Sequence, residues 1–168
     1  MTDLAELDIF SLIRDPFRNF AREVRNRNKK TILISEPSIR GALTLAPIEA
    51  ALLDSALPYR RRFTDQSPDS GTFVHMAEEP GKGRTPNNGI AICEYVVEGL
   101  RGSSGDSRKG PLSTVAQAHF LATEINPNSE RIRGLDLGSY QEIGLATHLI
   151  GHMIQFTPSY ETIFLNKA

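Results

Sequence analysis

The chain has 168 residues, 39% of them hydrophobic and 23% charged, which is the composition of one globular domain rather than of a disordered chain. Its 19 basic and 20 acidic residues leave a net charge of −1. This balance does not favour nucleic acid held mainly through its phosphates, although a local basic patch is compatible with it.

The single cysteine, Cys93, excludes an intramolecular disulfide and a cysteine-rich zinc site. No apolar run approaches the roughly 20 residues of a membrane-spanning helix. The first residues also lack the basic and then apolar pattern of a secretion signal. We therefore expect a cytoplasmic protein that does not enter the membrane.

The first segment, 1–28, has helical periodicity, with apolar residues spaced three and four apart from Leu4 to Val24. Pro16 is expected to break or bend this helix. Basic residues crowd its C-terminal end, where they suit the helix dipole; a phosphate-binding patch is the alternative. We expect this segment to pack on the domain that follows.

A strand, a helix and a second strand are predicted next. Residues 31–35 are an apolar, β-branched run typical of a strand in the middle of a parallel sheet. A helix is expected over 42–56, starting nearer Leu45 because proline, here Pro47, is best tolerated in a first turn. Residues 59–64 are predicted to form a strand with its arginines on one side.

The remaining pattern continues this alternation of strands and helices. The predicted elements are a turn at 65–70, a strand at 72–77, a loop at 80–88, a helix at 89–100, a surface loop at 102–110, a helix at 112–125 stopped by 126–128, a helix at 139–154 and an edge strand at 162–165. Together they predict a single α/β domain over 1–168. Its sheet should be mostly parallel with flanking helices, in a Rossmann-like or DHH-like arrangement.

Ligands of such sheets bind beyond the carboxyl ends of the strands, which directs attention to the loop after the first strand. Glu36, Ser38, Arg40 and Gly41 lie there, before a helix whose free N–H groups attract anions. Arg40 suits a phosphate or carboxylate, and Gly41 permits a positive φ or a close approach of backbone. A tight turn with a solvated arginine is the alternative.

A second loop, 81–89, is rich in glycine and carries Lys82 and Arg84. Its spacing is not that of a Walker A phosphate-binding loop. This loop either binds a phosphate or a partner, or is a mobile connection between two elements.

His148 and His152 lie four residues apart, on one face of the predicted last helix, which is the spacing of two metal ligands. The glutamate of zinc proteases is missing, and the neighbouring apolar residues favour an ordinary core helix instead. A zinc site would draw its third ligand from Glu142, His75 or His119.

No complete catalytic set is present. Ser35 lacks the flanking glycines of a nucleophile elbow. Cys93 lies among Ile90, Ile92 and Val96, which favours a small buried hydrophobe over a catalytic thiol. We therefore lean against an enzyme, and no cofactor is implied.

The order of the first predicted elements is a helix, an Ile-Leu-Ile strand, a loop ending in Gly41, an Ala- and Leu-rich helix and a Pro-Tyr-Arg-Arg-Arg-Phe-Thr strand. This order resembles the start of DHH-type phosphoesterases, most of all their RecJ-like branch. In active members the first loop reads His-x-Asp-x-Asp-Gly. Glu36, Ser38 and Arg40 stand at the three ligand positions here, and the later Asp-His-His triplet is missing. Arg40 would place a positive charge where a divalent cation should lie.

The resemblance implies a domain that kept the fold and lost the two-metal chemistry. We also expect a lone core domain, since 168 residues leave no room for the second, substrate-gripping domain of that family. The function this suggests is a non-catalytic binding or scaffold protein with a protein partner, in DNA replication or repair. The alternative is a small enzyme or sensor that binds a phosphorylated metabolite or nucleotide at the first strand-to-helix loop.

Overall fold

A computed structural model describes residues 8–27, 30–63, 72–76, 89–101 and 107–132. They form a short 3-10 turn (Asp8–Phe10), followed by α1 (Ser11–Arg27), β1 (Thr31–Ile34), α2 (Ile39–Asp54), β2 (Tyr59–Arg62), β3 (Thr72–Met76), β4 (Gly89–Ile92), β5 (Tyr95–Arg101), β6 (Ser107–Leu112) and α3 (Thr114–Ile125). Within these ranges no helix has both the length and the apolar character needed to cross a bilayer.

Four strands form a parallel sheet in the order β2-β1-β3-β4. Strands β5 and β6 pair with each other in an antiparallel ribbon, with a register shift near Gly99, whose φ is 97°. The prediction of an α/β fold with a mostly parallel sheet is therefore confirmed, whereas the antiparallel ribbon was not foreseen.

The helices pack on one face of the sheet. Leu33, Val74 and Ile90 lie in one row across β1, β3 and β4, and they share a buried cluster with residues of all three helices. Ile32 and Ile34 point to the opposite face and are also buried. Strand β1 is thus buried on both faces and central in the sheet, as its unbroken apolar run predicted.

Helix α1 continues through Pro16 instead of breaking there. A proline in a helix leaves the carbonyl four residues earlier without its N–H partner. Here that carbonyl belongs to Leu12, and both Leu12 and Pro16 are exposed, so water can take the vacant position. Of the two alternatives that the sequence left open, a break at Pro16 is therefore wrong, and one helix spans this stretch.

Helix α2 begins at Ile39, six residues before the expected start, so Pro47 lies in its interior. The start is fixed by Ser38, whose side chain accepts a hydrogen bond from the N–H of Gly41. Leu45, Ile48 and Leu52 are fully buried, and these core contacts outweigh the hydrogen bond that Pro47 removes.

The predicted helix over 89–100 is wrong, because this stretch forms β4 and nearly all of β5. Ile90 and Ile92 are buried while Gly89 and Ala91 are only partly so, which is the two-residue period of a strand. The predicted surface loop over 102–110 is also wrong from residue 107 onward, since β6 begins there. The helix over 112–125 is confirmed as α3, which ends before Asn126 as expected.

The arginines of β2 do not share one side. Arg61 turns toward α2, where its guanidinium donates two hydrogen bonds to Glu49, with nitrogen-to-oxygen distances of 2.7 and 2.6 Å. Successive strand residues alternate between faces, so Arg60 and Arg62 lie on the other face.

Helices α2 and α3 run side by side in the same direction and are joined by polar contacts near both ends. Near their amino ends the hydroxyls of Thr44 and Thr114 hydrogen-bond at 2.9 Å, and both side chains are fully buried. Near their carboxyl ends Asp54 accepts a 2.6 Å hydrogen bond from Ser129 and pairs with Arg131. Because both amino ends point the same way, the positive ends of the two helix dipoles lie toward the same edge of the sheet.

Helix α2 ends in a Schellman motif that places Ala56 at a φ of 53°, in the left-handed region. A non-glycine residue there costs about 1 kcal/mol. We expect Ala56→Gly to raise the free energy of unfolding by about 0.5 kcal/mol, because glycine removes this cost but loses more backbone freedom on folding. Urea unfolding followed by circular dichroism measures the change. Ser55→Gly, at a φ of −91°, is the control and should destabilise; a loss from Ala56→Gly would contradict the prediction.

Candidate functional site

The turn between β1 and α2 lies at the carboxyl edge of the parallel sheet. The chain leaves β1 to form β2 on one side and later returns to form β3 on the other, so the strand order reverses at β1. Parallel sheets bind their ligands beyond the strand ends at such a reversal. The turn is therefore the place in the described fold where a functional site is most expected.

The side chains of Glu36 and Ser38 are joined in this turn. The Ser38 hydroxyl donates to Glu36 Oε1 at 2.8 Å and accepts from the N–H of Gly41 at 3.0 Å. The backbone N–H of Ser38 also donates to the carbonyl of Glu36 at 2.9 Å. Three of the residues predicted from the sequence are thus brought together, and their contacts form the cap of α2.

Glycine is required at position 41 because the end of β1 passes close to its Cα, not because the residue has a positive φ. A Cβ at this position would stand 2.5 Å from the carbonyl oxygen of Glu36 and 3.1 Å from Ser35 Oγ. Only glycine lets the first turn of α2 lie this close to the end of β1. Of the two explanations that the sequence left open, the structure thus favours the close approach.

Arg40 occupies the second position of α2, and its side chain lies outside the described part of the chain. Lys82, Arg84, His148 and His152 also fall outside the described residues. Their part in a site stays a prediction.

Ser35 is the residue of the turn that sequence reasoning missed, because it was considered only as a nucleophile. It is buried, with 3% of its surface exposed. Its Oγ has no hydrogen-bond partner within the described residues. Its position directly after a buried parallel strand was the signal that pointed to it.

The chain matches no known protein-family model, no curated protein and no solved structure.

The other candidate chemistry lies away from this turn. His75 is on β3 and His119 is buried in α3. Among the described residues, no three His, Cys, Asp or Glu side chains lie close enough together to hold a metal ion. The proposed third ligands of a zinc site are thus not gathered into a cluster in that part of the chain.

Cys93 follows β4 and is partly buried, not fully buried as the sequence suggested. Burial raises the pKa of its thiol, which keeps the thiol protonated and weakly nucleophilic at neutral pH. Its carbonyl accepts a 2.6 Å hydrogen bond from the buried side chain of Gln117. These contacts favour a structural role for Cys93.

Burial raises the pKa of Tyr95 from 10.0 to about 12, and the neighbouring Cys93 adds to the effect. The folded state therefore holds the phenol proton more tightly than the unfolded state, so this contribution to stability is present below about pH 10 and is lost as the pH rises toward 12. We expect Tyr95→Phe to flatten the alkaline loss of stability.

The hydroxyl of Tyr95 is buried without a partner in the described structure, so its removal should not destabilise the protein at pH 7. Urea unfolding of wild type and variant at pH 7 and pH 11 measures both effects. Identical pH slopes in the two proteins would show that Tyr95 does not titrate in this way.

Proposed function

We propose that this chain is a non-catalytic binding or scaffold protein with a RecJ-like DHH fold, acting through a protein partner in DNA replication or repair in the cytoplasm. In support, the parallel order β2-β1-β3-β4 begins like the doubly wound order 2-1-3-4-5. A glycine, Gly41, also lies in the first turn of α2, close to the position that the resemblance implies.

The observation that supports the proposal is that the polar groups of the turn cap α2 and bind one another. In active relatives the positions of Glu36, Ser38 and Arg40 would hold carboxylate and histidine ligands. Here the hydroxyl of Ser38 is taken up by Glu36 and by the N–H of Gly41. A hydroxyl that caps a helix is a weak ligand for a divalent cation, and a guanidinium opposes one.

The proposal is tested by titrating manganese into the protein by calorimetry and assaying phosphodiester cleavage in the same buffer. We expect neither binding at the turn nor turnover. Glu36→Gln removes the one carboxylate of the turn, and Glu98→Gln, on the exposed side of β5, is its control. Manganese-dependent cleavage that Glu36→Gln abolishes and Glu98→Gln leaves intact would refute a non-catalytic role.

A second candidate is a small enzyme or sensor that binds a phosphorylated metabolite or nucleotide at the same turn. The buried Ser35 hydroxyl without a partner favours it, since it lies beside the amino end of α2. Thermal-shift screening of nucleotides and sugar phosphates is the test. A stabilisation that Arg40→Ala abolishes supports this candidate, and no shift across the panel removes it.

A further inference from the structure

The amino end of α2 carries hydrogen-bond donors that have no acceptor within the helix itself. The N–H groups of Ile39 and Arg40 are at the first two helical positions and have no acceptor within the helix. The N–H of Gly41 is already bound to Ser38 Oγ. The helix has 16 residues, so its dipole adds positive potential at this end.

Ser35 supplies an independent indication of a ligand. Its side chain points to the face of β1 that carries α2, like that of Leu33 two residues earlier. The Oγ lies beneath the first turn of α2, 3.1 Å from where a Cβ on Gly41 would stand, and it has no partner in the described structure. Buried hydroxyls almost always have a partner, so this one points to an acceptor that the described part of the chain does not provide.

Glu36 places a carboxylate next to these donors. Its Oε1 accepts from Ser38 Oγ at 2.8 Å, and its side chain is exposed. Negative charge is favoured at a helix amino end, so the chain's own carboxylate competes there with any external anion. An exposed glutamate can rotate away from the turn when such an anion binds.

We propose that the amino end of α2 binds a phosphate group, with Ser35 Oγ and the N–H groups of Ile39 and Arg40 as donors and the Glu36 carboxylate as a displaceable competitor. This inference rests on the second candidate function and adds the residues that recognise the ligand. The Oγ of Ser35 is buried, so binding requires the turn to open.

The test is a titration of the isotope-labelled full chain with inorganic phosphate, and in parallel with adenosine monophosphate, followed by amide chemical shifts. The largest shifts are expected at residues 39–41. Ser35→Ala should weaken binding by about tenfold, the usual loss when a hydrogen bond to a charged group is removed. Glu36→Gln should strengthen it by about threefold, because a competing negative charge is gone.

Matched controls separate recognition from stability. Ser129→Ala removes another buried serine hydroxyl, one that donates to Asp54, and Glu98→Gln removes an exposed carboxylate on β5. Both should keep the wild-type affinity. Ser35→Ala should leave unfolding in the absence of phosphate unchanged or more difficult. Ser129→Ala should make unfolding easier, because the partly buried carboxylate of Asp54 loses one of its hydrogen-bond donors.

Each outcome decides the proposal. Phosphate shifts at residues 39–41 that Ser35→Ala weakens and Glu36→Gln strengthens support it. Tighter binding of adenosine monophosphate than of phosphate makes a nucleotide the source of the phosphate group. Shifts at 39–41 that neither variant alters overturn the assigned residues but keep the second candidate. Chemical-shift changes only at other residues, or no changes at all, overturn the phosphate site itself. They do not test the scaffold function, which the manganese titration and cleavage assay test separately.

Discussion

Replacing Gly41 with alanine should lower the free energy of unfolding by about 2–3 kcal/mol, the usual cost of forcing an extra carbon into a packed site. The new Cβ would stand 2.5 Å from the carbonyl oxygen of Glu36, and a backbone atom cannot move aside as a flexible side chain does. Either α2 must withdraw from β1 or the turn must rearrange. Urea unfolding followed by circular dichroism gives the change directly.

Helix propensity works in the opposite direction at this position, because alanine is favoured over glycine by about 1 kcal/mol. Ala42→Gly, at the exposed neighbouring position, measures this contribution in the same helix. Adding it to the loss from Gly41→Ala gives the cost of the clash alone. A Gly41→Ala variant as stable as wild type would mean that α2 does not approach β1 as closely as described.

Phe120→Ala should cost about 3–5 kcal/mol, as is typical of removing a large buried aromatic side chain. The ring of Phe120 stacks on Phe10 with centroids 4.8 Å apart, and it lies 6.1 Å from the ring of Phe17. It therefore joins the 3-10 turn, α1 and α3 in a single aromatic cluster. Loss of the ring leaves a cavity that three separate elements would have to fill.

The exposed Phe63 provides the comparison, since 53% of its surface is accessible. Phe63→Ala should change the free energy of unfolding by less than about 0.5 kcal/mol. Equal losses from the two variants in urea unfolding would show that the core is not centred on Phe120. A second variant, Phe120→Leu, should recover part of the stability because it refills most of the cavity.

Local patterns were sufficient to predict three of the four strands of the parallel sheet. The apolar, β-branched run of β1 predicted a strand buried in the middle of the sheet, and strands were also predicted over the ranges of β2 and β3. The stretch around Ile90 and Val97 was different, because its apolar residues fit both a helical and a strand period. This stretch forms strands because β4 pairs with β3 and β5 pairs with β6. Such pairing between distant segments leaves no signal in the local sequence.

The candidate site was predictable in position but not in detail. A loop between a buried strand and a helix, ending in Gly41, was sufficient to place it. Ser38 is of a residue type that caps helices, but this role was not predicted, because Pro47 placed the expected start near Leu45. The isolation of the Ser35 hydroxyl could not be foreseen, because it depends on how closely α2 lies against the end of β1.

The contacts that join the helices have a consequence for synthesis on the ribosome. Arg18 and Glu124 are 106 residues apart in the chain, and Thr44 and Thr114 are 70 apart. The apolar sides of α1 and α2 therefore emerge well before α3, the helix that covers them. During that interval the nascent chain exposes apolar surface, and contacts between residues so far apart in sequence slow folding.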